Sequence, residues 1–254
     1  MGRPVPTSRR PLGIGPTPHR HGQTGKPAAL LLLWAGVAGP VFFTLSYAIN
    51  EALRPHFNLF QQSITVLAEG PDGWVQRASF VLFGLTSLAF ALGLGRLDPP
   101  PAGGPGVARC EAGIGAGLIL AGLLVQQPLT GGPHAARPPG FITPYGYVTL
   151  PGLAHVAAAV MVYVSTVTAC LLVAQSLGQH PAARRAAAYS RLCGWLYLAL
   201  IAAFAIAPLT GGPAGLFERI AGLVAGAWTV WFAWRTIAAA SRRPARSETA
   251  RPET

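Results

Sequence analysis

Six long apolar stretches, parted by short polar ones, mark the chain at about residues 28–49, 74–95, 111–128, 150–176, 192–210 and 216–238. Each approaches the roughly 20 residues that an α-helix needs to cross a bilayer core. The runs are continuous rather than alternating, which predicts helices and argues against a β-barrel. The first is the cleanest, with no charge between Lys26 and Glu51, while the last opens on Glu218 and Arg219. The pattern predicts an all-α polytopic membrane protein whose six transmembrane helices fill residues 28–238, with a structured outer loop at 50–73. Residues 1–27, rich in Pro, Gly and Arg without an apolar period, read as a disordered basic tail, and 239–254 as a second one. The first apolar run continues to Ile49 and Pro40 follows its nearest small-residue site. A signal-peptide core spans only about 7–15 residues, so an uncleaved helix is expected.

Composition sharpens this reading. Of 254 residues, 51% are hydrophobic and 11% charged, against about 25% charged in a soluble domain. The net charge of +11 would suggest phosphate binding in a soluble protein. Here the basic residues lie between apolar runs, with no recognition helix, RNA-binding sheet or zinc finger, so no nucleic-acid partner is expected. Counted over alternate loops, Arg54, Arg77, Arg137 and Arg219 fall on one side and the rest of the 19 Lys and Arg on the other. The 8 acids divide evenly. The basic side carries both tails, which the positive-inside rule places in the cytoplasm of a plasma-membrane protein. Arg9-Arg10 and Arg242-Arg243 suit anionic lipid headgroups. The Ala-, Gly-, Pro- and Arg-rich usage fits a bacterium with GC-rich coding.

Cys110 and Cys193 fall at inner helix ends and Cys170 in the inner half of the fourth helix. An odd count with no metal spacing predicts neither a disulfide framework nor a zinc site. His56, His134 and His155 lie in separate segments without paired-ligand spacing, so no metal is expected. No second buried histidine faces His155 for a haem, and no cofactor of any kind is expected.

The remaining polar residues crowd towards the outer half, and ionisable groups at membrane depth mark functional sites by default. The competing reading is that they cap helices and sit in headgroup water. The candidates are His155, a few residues into the fourth helix; His56, Asn58 and Thr65 of the outer loop; and Glu218 and Arg219, which open the sixth helix. His155 fits a proton relay or a neutral hydrogen bond to Gln126 or Gln127. Adjacent helical residues diverge by about 100°, so Glu218 and Arg219 meet different partners. Arg219 is expected to reach Glu69 or Asp72 and dock the loop, while Glu218 suits the helix dipole.

Two further patterns concern packing. Gly113, Gly117 and Ala121, then Gly222 and Gly226, stripe two helices at four-residue spacing, as close approach in lipid requires. Trp195, Trp231 and Trp234 read as inner interfacial anchors, Trp228 as deeper, and Trp74 as an outer anchor. Pro-Leu-Thr-Gly-Gly-Pro occurs at 128–133 and 208–213, where two helices leave the membrane. Shared helix-stop chemistry explains it; duplication of a two-helix unit is the alternative.

Several of these residues carry a resemblance. Phe57-Asn58, Thr65-Val66-Leu67, His155 and Glu218-Arg219 resemble the pattern of a bacterial and archaeal family, domain of unknown function 998, over about residues 28–238. That pattern is an outer loop with an aromatic-Asp/Asn pair and a Ser/Thr-x-Leu signature, a His in the fourth helix and Glu-Arg in the sixth. The chain departs from it at Gln61-Gln62, Gln127-Pro128 and Pro151, where ionisable or paired groups are common. The resemblance implies a six-helix membrane protein without an assigned activity.

The expected function is therefore that of a non-enzymatic membrane protein. Its outer face would bind membrane lipids or a membrane partner, with a homo-oligomer as one such arrangement. A small transporter or sensor using His155 and the outer polar residues is the alternative, and a membrane-embedded hydrolase the next. No catalytic residue can be assembled from the sequence.

Overall fold

A computed structural model describes residues 25–70, 72–124, 140–143 and 146–242, with side chains from Pro27 onward and backbone alone at 140–143 and 146–148. Six helices make the body: α1 (Gly25–Ala52), α2 (Gly73–Gly95), α3 (Gly104–Leu123), α4 (Leu150–Gly178), α5 (Arg184–Thr210) and α6 (Ala214–Arg242). All six are long and apolar enough to cross a membrane. Each packs on the next in sequence, and α6 returns to α1, so the helices form a closed ring.

Between α3 and α4 lies one element that the all-α expectation lacked. Strands β1 (Gly140–Thr143) and β2 (Gly146–Thr149) pair antiparallel, Gly140 opposite Thr149. The second strand runs straight into α4, where the Thr149 side chain caps the helix by accepting from the Gly152 N–H at 3.1 Å.

Two predicted boundaries are corrected. The third helix begins at Gly104 rather than 111, because Gly103 turns the chain at φ 85° and Pro105 sits in the first turn with its backbone preset for a helix. It ends at Leu123, and Gln127-Pro128 lies outside the described residues. Cys110 and Glu111 consequently stand within the helix, not at its inner end. The fifth helix begins at Arg184 rather than 192. Ala187, Ser190, Cys193 and Tyr197 bury one stripe of it while Arg184, Arg185 and Arg191 stay exposed, so charge on the open face does not stop the helix.

The ring is filled in two layers. One layer draws on all six helices, with Leu33, Phe90, Val107, Val173, Cys193, Trp228 and Phe232 in one cluster. Trp228 is fully buried, deeper than an anchor, and stacks on Phe232 at 5.5 Å. The other layer joins Tyr47, Phe80, Ile114 and Leu118 to Ile64 and Leu67. Those last two belong to a short 3₁₀ turn at Ile64–Ala68, through which the outer loop dips into the mouth of the ring. Outside, Leu45, Leu82, Leu92, Val164 and Leu196 are exposed, the apolar surface that lipid requires.

Candidate functional site

The outer loop is held down by the first turns of α6. Arg219 is nearly buried, and its Nη2 donates to Glu51 Oε1 at 2.5 Å. The same guanidinium donates through Nη1 to Gln62 O at 2.9 Å and to Gly215 O at 2.7 Å. Its face lies 5.6 Å from the Phe57 ring centre, a cation–π distance. Docking through Arg219 is as the sequence suggests, but the acidic partner is Glu51 and not Glu69 or Asp72. The reason is geometric: Glu51 lies in the last turn of α1, beside the start of α6 in the closed ring.

Glu218 points to a different partner. Its Oε2 accepts from the Ile64 N–H at 2.6 Å, capping the 3₁₀ turn that plugs the mouth. A backbone bond from the Leu216 N–H to Phe60 O at 3.2 Å adds to the seam. Gly215 makes that approach feasible, because a Cβ there would stand 2.3 Å from Gln62 O and 2.6 Å from Leu59 O.

Within the loop, the other candidates shape the backbone. Asn58 Oδ1 accepts from the Phe60 and Gln61 N–H groups at 3.0 and 3.3 Å, an Asx turn. Thr65 shares a 2.6 Å hydroxyl bond with Ser63. His56 is exposed and adopts the left-handed region at φ 68°. Arg54, though exterior in sequence terms, folds back to donate to Leu67 O at 2.6 Å. Beside it, burial raises Glu69 from the usual carboxylate value of 4.5 to about 7, against the opposing pull of Arg54.

His155 stands apart from this cap. It is 2% exposed, and its Nδ1 lies 3.0 Å from Ala121 O and 2.7 Å from Leu124 O at the end of α3. Its predicted partners Gln126 and Gln127, like His134, Tyr145 and the 128–133 repeat copy, lie outside the described residues. Among the described residues Nε2, which is buried, has no hydrogen-bond partner. The six candidates thus fall apart: Glu218 and Arg219 tie the loop to α6 and α1, Asn58 and Thr65 bond within the loop, His56 is exposed, and His155 is tied to α3. Among the described residues no three His, Cys, Asp or Glu converge to hold a metal.

Sequence reasoning missed several buried polar groups. Asn50 and Gln76 meet between α1 and α2 at 3.5 Å, and Ser46 bonds Ser79 one turn deeper. Trp228 Nε1 donates to Ser190 Oγ at 2.8 Å, and Ser190 donates to Cys170 O at 2.8 Å. Glu111 is 1% exposed inside α3. The clue to Ser190 was its place one turn from Ala187 and Cys193 on a buried stripe. Glu111 gave no clue, since a charged residue beside Arg109 reads as a helix end.

The packing stripes divide. Gly113 faces Ser165, and Gly117 faces Ala158 and Val162, so the α3 stripe does seat α4. In the α6 stripe a Cβ at Gly226 would meet Pro40 of α1 at 3.5 Å, whereas one at Gly222 would have nothing within 4 Å and that residue lies exposed, so the stripe seats a neighbour at one of its two glycines.

No curated protein and no solved structure matches this chain. The sequence profile described as Protein of unknown function (DUF998) matches residues 37–235, from within α1 to the later turns of α6, taking in the loop after α1, His155 and the Glu218-Arg219 brace. The chain is a multi-pass membrane protein that belongs to the DUF998 family.

Proposed function

We propose that this chain is a non-catalytic protein of the plasma membrane, with both termini in the cytoplasm, whose braced outer cap rests on outer-leaflet lipid. The carrying observation is a division of labour within the cap. Its polar side chains are engaged in bracing through Arg219, Glu218, Asn58 and Arg54. Leu53, Leu59 and Phe60 meanwhile remain exposed beyond the end of α1, and Trp74 in the first turn of α2. Large apolar and aromatic side chains at that level suit the boundary between headgroups and acyl chains. Six crossings return the C-terminus to the side of the N-terminus, and the excess of Lys and Arg on that side supports a cytoplasmic placement.

A spin label tests the lipid contact. With Cys110, Cys170 and Cys193 replaced by Ala, a label at Phe60→Cys in bilayers is expected to collide more with oxygen than with a water-soluble nickel chelate. Preference for the chelate would place the cap in water and overturn the reading. For topology, Ser241→Cys should resist an impermeant maleimide in intact cells and react after permeabilisation; reaction in intact cells refutes it.

A further inference from the structure

The end of the ring at which α1 begins and α6 ends carries charge of one sign. Arg96, Arg109, Arg184, Arg185, Arg191, Arg235 and Arg242 are all exposed, within about two helical turns of that end. Against them stand, among the described residues, exposed Asp98 and buried Glu111.

A cavity of about 190 Å³ lies at this end, between the last turns of α6, the end of α4 and the connection from α2 to α3. Its walls are apolar, with Leu97 and Pro100 from the connection, Leu177 from α4 and Phe232 from α6. Thr236 also lines it, but its hydroxyl donates to Phe232 O at 2.8 Å. Arg235 brings the charge. Its guanidinium lies 5.3 Å from the Trp231 ring centre, and Tyr189 braces Trp231 edge-on at 4.8 Å. That stack holds the cation beside the cavity. Among the described residues no acid pairs with Arg235, the ion pair being that of Arg219 with Glu51 at the opposite end.

A guanidinium without an acid partner, set beside an apolar cavity, suits an anion that has an apolar part. The planar fork of arginine matches phosphate oxygens in particular. The depth is that of a membrane boundary. Trp34 and Trp234 are both exposed and meet edge-on at 5.8 Å, and such aromatics sit at headgroup level. The volume falls below the roughly 300–1,000 Å³ of pockets that enclose a whole drug-sized ligand. A headgroup can enter while its acyl chains stay in the bilayer.

We propose that this cavity binds the phosphoglycerol part of one anionic phospholipid, whose phosphate oxygens accept hydrogen bonds from Arg235. The site lies at the far end from the cap. It rests neither on the cap's contact with lipid nor on which side of the membrane the termini occupy.

Native mass spectrometry of the full chain in neutral detergent tests this, with phosphatidylglycerol, phosphatidylcholine and glycerol 3-phosphate as probes. Wild type should retain one phosphatidylglycerol roughly fivefold more strongly than phosphatidylcholine, about the contribution of one basic residue near a membrane surface. Arg235→Gln should erase that preference. Ala239→Phe, at an exposed position in the lining, fills the cavity without touching the charge and should weaken phosphatidylglycerol binding by a similar factor. Arg184→Gln removes a charge at the same end but outside the lining and should leave binding unchanged. Equal retention of the two lipids by wild type overturns the site, as does unchanged binding in Ala239→Phe. An equal loss in Arg184→Gln and Arg235→Gln means diffuse surface charge and overturns it too. Displacement of the lipid by glycerol 3-phosphate at equal concentration would make a soluble phosphate the ligand and overturn the lipid assignment.

Discussion

Arg219 Nη2 donates to Glu51 Oε1 at 2.5 Å, joining residues 168 positions apart and closing α6 onto α1. The side chains are 9% and 13% exposed, so each charge relies on the other rather than on water. Removing one partner of a buried pair costs about 3–5 kcal/mol, whereas replacing both by apolar groups is often neutral. Arg219→Met should therefore lower the unfolding midpoint in detergent and speed hydrogen exchange at residues 59–64. Combining it with Glu51→Leu should recover much of that loss. Strict additivity of the two losses would show that the pair does not close the ring.

Glu218 holds the cap through one charge-assisted bond to the Ile64 N–H, and such bonds contribute about 1.5–3 kcal/mol. Glu218→Ala should expose the Ile64 amide and raise its exchange rate. Glu218→Gln still presents an oxygen acceptor and should fall between wild type and Ala. Equal exchange in all three would mean that the plug at Ile64–Ala68 is held by apolar packing alone.

The proton affinity of Glu69 gives the cap a pH dependence of definite sign. Burial raises its value from 4.5 to about 7, so between those limits the folded cap binds more protons than the unfolded one. Stability therefore falls as pH rises through that window. Its contribution is complete below 4.5 and lost above 7. Exchange at residues 64–70, corrected for intrinsic chemistry, should be faster above pH 7 than below 4.5, and Glu69→Gln should abolish the difference.

How far the sequence foretold these features depends on what each residue shares with its neighbours. Apolar runs marked all six helices because lipid-facing and core-facing positions are both apolar. The boundaries differ at Arg109-Cys110-Glu111 and at Arg184-Arg185, where charge in the sequence resembles a loop. In α5 the arginines lie on an open face, and in α3 Glu111 turns inward, a distinction that only neighbouring helices make. Arg219 was legible as a loop anchor from its place at a helix start. Its partner was not, because Glu51 reads as the end of the first run and its meeting with α6 follows from ring closure. The cap's exposed Leu59 and Phe60 sit among polar residues, and no local pattern separates them from the buried Ile64 and Leu67.

His155 has two carbonyl oxygens, Ala121 O and Leu124 O, around Nδ1. Carbonyls only accept, so the proton belongs on Nδ1 and the bare lone pair on Nε2. Nitrogen NMR of the ring should report that tautomer. His155→Ala removes a donor from the end of α3 and opens a cavity, at a cost of about 2–4 kcal/mol. His155→Gln, which keeps an N–H donor, should lose less. A variant as stable as wild type would remove the capping role and return His155 to the functional candidates.

The glycine stripes make a paired test, since the same substitution should act in opposite directions on two helices. At Gly117 a Cβ would stand 2.7 Å from Val162 Cγ2 and 2.8 Å from Ala158 O. The carbonyl belongs to the α4 backbone and cannot swing aside, so α3 and α4 must separate. Gly117→Ala should cost about 1–3 kcal/mol, as overpacking does. At Gly222 nothing lies within 4 Å, and alanine gains helix propensity of up to about 1 kcal/mol with no clash. Gly222→Ala should leave the detergent melting point level or raise it. If it instead lowered stability in bilayers while remaining neutral in dilute detergent, the open stripe would be seating a second helix from another copy.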